Sequence, residues 1–173
     1  AALLVLSAHV RAQDATYAVR SMTPETALAA ARAALAECRK QGYQVAVAVV
    51  DRAGLTQVLL RDRFAGAHTV DVATNKAWTA ASFRTPTADL ARETQPGQAM
   101  SGLRNLPRFL AAGGGQVIEG GGTLLGAIGV SGAPGGEADD GCVCFREGVE
   151  FGEWDAMTAA NLWRAIREWI VGK

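Results

Sequence analysis

Residues 43–50 are β-rich and nearly all apolar, the pattern of a buried strand. Asp51-Arg52-Ala53-Gly54 follows with turn chemistry, Gly54 being free to take positive φ. Residues 55–60 then return as a second strand. A hairpin this apolar has to be covered, so the rest of the chain is constrained to supply covering elements.

Candidates for that cover lie on both sides. Thr23-Pro24-Glu25 opens a helix with a hydroxyl cap, a proline where no N–H is needed, and an acid at the positive end of the dipole. Leu28, Ala31, Leu35 and Cys38 then recur on one face as far as about Lys40, and Gly42 ends the helix. Residues 71–83 read as a second helix stopping before Pro86, and 87–93 as a short third one. Pro96, Gly97 and Pro107 break the stretch 88–112 into short pieces and loops.

Thirteen of the 20 glycines fall between Gly113 and Gly148, where backbone freedom or close approach outweighs side-chain bulk. Within that region 116–118 and 124–130 read as strands joined by Glu119-Gly120-Gly121-Gly122. Glycines around Pro134 lead to Glu137 and Asp139-Asp140, an acidic helix start. Leu162, Ile166, Trp169 and Ile170 mark an amphipathic helix in a Trp-rich tail, residues 151–173. The expected architecture is α+β: one antiparallel sheet of two hairpins flanked by helices, with the helix at 24–41 covering a face.

The chain's 173 residues suit one domain, and 49% hydrophobic against 20% charged residues allows a real core. Basic and acidic residues balance at 17 each with no basic run, which disfavours a nucleic-acid partner. No apolar stretch reaches the roughly 18 residues of a membrane span. The apolar run at 1–8, followed by Val10-Arg11-Ala12, has the form of the back half of a secretory signal. Cleavage after Ala12 and a periplasmic or secreted location are therefore expected, with the domain proper at 13–150. Cys38 could bridge to Cys142 or Cys144 in an oxidising compartment, and sequence leaves the pairing open. A structural zinc site is disfavoured for want of four Cys/His ligands at paired spacings.

No Ser-His-Asp set, Gly-x-Ser-x-Gly elbow or phosphate-loop fingerprint is present, and no catalytic residue is assigned. His68 is the only histidine beyond residue 12, and a neutral imidazole there could ligate a metal or haem iron. Lys76 and Arg84 are cations that could pair with a ligand carboxylate, or could form a solvated helix face.

Several stretches together resemble the GlcG/HbpS-like family of haem-binding or haem-degrading domains. They are Ala46-Val47-Ala48-Val49-Val50-Asp51-Arg52-Ala53-Gly54, His68-Thr69-Val70-Asp71 through Lys76-Ala77-Trp78 to Phe83-Arg84-Thr85-Pro86-Thr87, and Gly113-Gly114-Gly115. After them come Gly120-Gly121-Gly122 and Gly126-Ala127-Ile128-Gly129-Val130 with Asp139-Asp140, all in unbroken order. The resemblance implies a profilin-like sandwich, a homo-oligomer and a small-molecule ligand, with haem as a possible cofactor. It also implies a cofactor-binding set of His68, Thr69, Lys76, Phe83, Arg84, Thr87, Gly121 and Gly122. In that picture His68 is the axial ligand, Lys76 and Arg84 lie near the propionates, Phe83 lies against the porphyrin, and the glycine loops close the pocket. The resemblance also extends to members that occur beside glycolate metabolism genes or fused to cobalamin adenosyltransferases, so an enzyme or accessory protein acting on a small organic acid and a non-catalytic assembly partner are the alternatives.

Overall fold

The computed structural model describes residues 16–143. Helix α1, Pro24–Lys40, begins as its sequence predicts: Thr23 Oγ1 accepts from the Thr26 amide at 3.3 Å, and Pro24 and Glu25 occupy the first turn. Strands β1, Ala46–Asp51, and β2, Thr56–Arg61, form the first hairpin. Helix α2, His68–Phe83, precedes the short helix α3, Thr87–Glu93, and a 3-10 turn at Ser101–Asn105. Strands β3, Gly115–Gly120, and β4, Thr123–Ser131, form the second hairpin, and a six-residue helix α4, Gly136–Gly141, follows it.

The two hairpins join through their inner strands in the order β2-β1-β4-β3, every neighbour antiparallel. The expected single sheet is therefore present, with Ala46 opposite Ser131 at one end and Asp51 opposite Gly126 at the other. Strand β1 starts at Ala46, not at residue 43, because the Tyr43 amide is taken by the Cys38 carbonyl at the end of α1. Helix α2 starts three residues earlier than residue 71, so His68 is its first residue. The Trp-rich tail, the signal-like residues 1–12 and Cys144 lie outside the described residues.

Strand β1 is buried on both faces, and its two faces carry different residues. Val47 and Val49, with Ile128 and Val130 of β4, meet Ala27, Ala30, Ala31, Ala34 and Leu35 of α1. Ala46, Ala48 and Val50, with Ala127, meet Ala73, Ala77, Ala80 and Ala81 of α2. Small residues on both sides of the second seam let α2 lie close to the sheet. At Gly129 the approach is closest: a Cβ there would collide with the Ala73 carbonyl and stand 2.7 Å from the Ala77 amide.

The hairpin turns follow their glycines. Asp51 Oδ1 accepts from the Ala53 and Leu55 amides, and Gly54 has φ +79° with the Trp78 indole where its Cβ would stand. Gly121 and Gly122, at φ +56° and +68°, make the two-residue turn whose twist matches the flanking strands. A bidentate Arg39–Asp62 pair (2.7 and 2.8 Å) ties the end of α1 to the chain leaving β2. The guanidinium holds the buried Asp62 carboxyl below its ordinary range.

The cysteine pairing resolves to Cys38–Cys142, both buried in the α1-side core and 104 residues apart. It fastens α1 to the exit of α4. Closing a loop of that length removes about 4–5 kcal/mol of unfolded-chain entropy in the loop-closure account. Unfolding in denaturant with and without a reducing agent should therefore differ by several kcal/mol, with reduction or Cys38→Ser lowering the midpoint. A midpoint insensitive to reduction would show that the bridge contributes nothing.

Candidate functional site

Lys76 points into the protein. Helical periodicity turns it toward β4, where its side chain is only 3% exposed. Its Nζ donates to Asp139 Oδ2 at 2.6 Å and to the Val130 carbonyl at 3.0 Å. Asp139 Oδ1 accepts from the Ala133 amide at 2.9 Å, so α4 and the β4–α4 loop close over the ammonium. The neighbouring Asp140 accepts from the Gly114 amide and from Gln116 Nε2. Glycines 113–115 pass through this knot because no side chain fits: a Cβ on Gly114 would stand 2.6 Å from the Val130 carbonyl and 2.9 Å from Lys76 Nζ.

The alternative of Lys76 on a solvated face is thus overturned, and its charge is committed inside the protein. Thr69 and Thr87 are also buried, with internal partners. Thr69 Oγ1 donates to the Gly66 carbonyl at 2.7 Å, organising the start of α2. Thr87 Oγ1 accepts from the Gly115 amide at 2.8 Å and holds the first residue of β3. Phe83 packs edge-to-face on Phe109 with ring centroids 5.1 Å apart. Arg84 is exposed in the left-handed conformation that caps α2.

Within one chain these residues do not converge on a single pocket. Arg84 is 16 residues from His68 along α2, roughly 24 Å at the helical rise. Gly121 and Gly122 turn beyond Thr123, while His68 follows the Arg61–Ala46–Ser131 end of the sheet. The nine residues of β4 between those ends, eight steps from Thr123 to Ser131, span roughly 26 Å.

The outer face of α2 does carry a coherent set. His68, Asp71, Asn75 and Trp78 recur at three or four residues, the spacing of one helical stripe. His68 is exposed and makes no hydrogen bond among the described residues. Its ring lies over Gly66, where a Cβ would stand 2.8 Å from Cε1. Arg108 arrives on this stripe from a distant loop. Its guanidinium lies over the Trp78 ring at 4.9 Å from the centroid, and its Nε donates to Asn75 Oδ1 at 3.4 Å. The loop is pinned from below, since Thr79 Oγ1 donates to the Arg108 carbonyl and accepts from the Leu110 amide. Sequence reasoning missed Arg108, because nothing local to Leu106-Pro107-Arg108-Phe109 says which helix the loop will cover.

Among the described residues no group of three His, Cys, Asp or Glu side chains is placed to hold a bare ion. A single free imidazole suits a metal that brings its other ligands with it, as iron does in a macrocycle.

A family model described as haem degrading protein, HbpS-like, matches residues 22–146. An uncharacterized 15.0 kDa protein from the dhaT-dhaS intergenic region of Citrobacter freundii is 33% identical over 116 residues, 66% of this chain and 82% of the relative. The corrinoid adenosyltransferase PduO of the same organism is 34% identical over 103 residues, 58% of this chain but only 31% of the enzyme's length. Among solved structures, a double mutant of Streptomyces reticuli HbpS superposes with TM-score 0.70 at 36% identity, covering 83% of this chain and 93% of that one. PduOC in complex with heme gives TM-score 0.65 at 30% identity, covering 71% and 90%.

The buried pair makes the roles separable. Lys76→Met should destabilise the fold by about 3–5 kcal/mol, because it strands the Asp139 carboxylate away from water. Adding Asp139→Leu should recover much of that loss. Chemical denaturation of the single and double variants checks this, and a Lys76→Met protein as stable as wild type would rule out the pair as a structural element.

Proposed function

We propose that this chain, which belongs to the HbpS-like family, binds haem on the outer face of α2 with His68 as the iron ligand. The observation that carries the reading is a free, exposed imidazole at the head of a helix, in a fold shared with a protein whose structure holds heme. A neutral imidazole is an ordinary axial ligand, and among the described residues His68 has no hydrogen-bond partner to give up on binding iron. Haem itself would supply the iron chemistry, and the chain's part is to present the ligand and orient the ring.

Hemin added to the wild-type protein should give a saturable Soret band. His68→Ala should shift or abolish that band while changing stability by no more than about 0.5 kcal/mol, as for other exposed positions. Loss of the bound haem's absorbance on adding a reductant would assign degradation rather than storage or sensing. No binding by the wild type would overturn the haem reading, and an unchanged spectrum in the variant would remove His68 as the ligand.

The reading extends to assembly and compartment. Near-zero net charge offers little self-repulsion, and Leu55, Leu59 and Phe64 are apolar side chains left in solvent by one chain alone, 67%, 42% and 80% exposed. Both suit a homo-oligomer, and light scattering should return a multiple of the 18.0 kDa chain mass, a monomer counting against it. The Cys38–Cys142 bridge suits an oxidising compartment such as the periplasm or the cell exterior.

A further inference from the structure

Resting on the haem reading above, we propose that Arg108 recognises a carboxylate of the bound macrocycle and thereby sets its orientation over the His68 face. Seven residues separate His68 from Asn75, within about 20° of two full helical turns and roughly 10.5 Å along the axis. Asn75 holds Arg108, so the imidazole and the guanidinium sit on one face of one helix, two turns apart. A rigid ring ligated at its centre and carrying acids at its rim spans such a pair.

The guanidinium is held before any ligand arrives. Trp78 supports one face of it, and Asn75 accepts from Nε. The Nη groups make no hydrogen bond among the described residues, which leaves two parallel donors, the fork that fits a carboxylate. The backbone at Arg108 has φ +71°, a left-handed conformation uncommon for a residue with a side chain, and Thr79 anchors it there from both sides.

Lys76 and Arg104 offer no substitute. Lys76 is buried against Asp139, and the Arg104 guanidinium donates to the Thr94 and Ala91 carbonyls. Arg84 lies too far along α2 to share a ligand with His68 in the same chain. Asp71 is exposed on the same stripe, near His68, and repels an acid placed over the first turn. That repulsion directs the acidic edge of the ring along the helix, toward Arg108.

Three probes separate these contributions: hemin, hemin dimethyl ester, in which both acids are blocked, and metal-free protoporphyrin IX. Arg108→Asn is the main variant, since asparagine tolerates the left-handed backbone, and a thermal melt confirms its folding. It should weaken hemin and protoporphyrin IX by about three- to tenfold, the scale of one partly exposed charged contact. The same variant should leave the dimethyl ester unchanged, and Arg108→Lys should recover only part of the loss because an ammonium lacks the fork. His68→Ala should alter the hemin spectrum while leaving protoporphyrin IX binding intact, an effect that Arg108→Asn cannot reproduce. Equal hemin affinity in Arg108→Asn and wild type, or an equal loss with the ester, overturns the Arg108 assignment and leaves the haem reading standing. Failure of wild type to bind hemin overturns both.

Discussion

At Gly129 the backbone of the central strand β4 meets the backbone of α2 with no side chain between them, the Ala73 carbonyl lying where a Cβ would be. Much of the arrangement depends on that contact. It brings α2 near enough for Lys76 to reach the Val130 carbonyl, one residue along the same strand. Lys76 in turn gives the short helix α4 a charge to close on through Asp139. With the inner face of α2 committed in this way, helical geometry turns His68, Asn75 and Trp78 outward together.

A lysine and an aspartate buried together are costly to desolvate, and their attraction roughly offsets that cost only when the remaining donors and acceptors find partners. Here they do, through the Val130 carbonyl and the Ala133 amide. Six-residue α4 is too short to hold itself by helix propensity. It is held by two carboxylates on one side and by the disulfide just beyond its end. The knot sets where the glycine strand 113–115 runs, and so where the 106–112 loop can lie across α2.

The hairpins, their turns and the helix at 24–40 were legible because their signals are local. Asp51 and Gly54 make their turn with near neighbours, and Thr23 caps a helix three residues away. The single sheet was also legible, since two apolar hairpins have few other ways to bury their inner strands. The site was less so. Lys76 and Arg84 read as equivalent cations in sequence, and only the packing of α2 sends one inward and leaves the other at the helix end. Thr69 and Thr87 lie where a ligand hydroxyl would be sought, yet each is occupied with backbone groups of this chain. Arg108 was invisible for the converse reason: its partners Asn75 and Trp78 lie about 30 residues earlier, and no periodicity links a loop to the helix it covers.

The bridge between Cys38 and Cys142 makes the chain a covalent ring from the last turn of α1 to the end of α4, with all four strands and the α2 face inside it. A single backbone cut anywhere in that ring, including the long 94–114 connection, releases no fragment. The two pieces stay one molecule, each still tethered to the other's core, and the loop carrying Arg108 can be severed without its being lost. The closure thus turns a nick in that connection into a change of chain path, with no loss of mass from the fold.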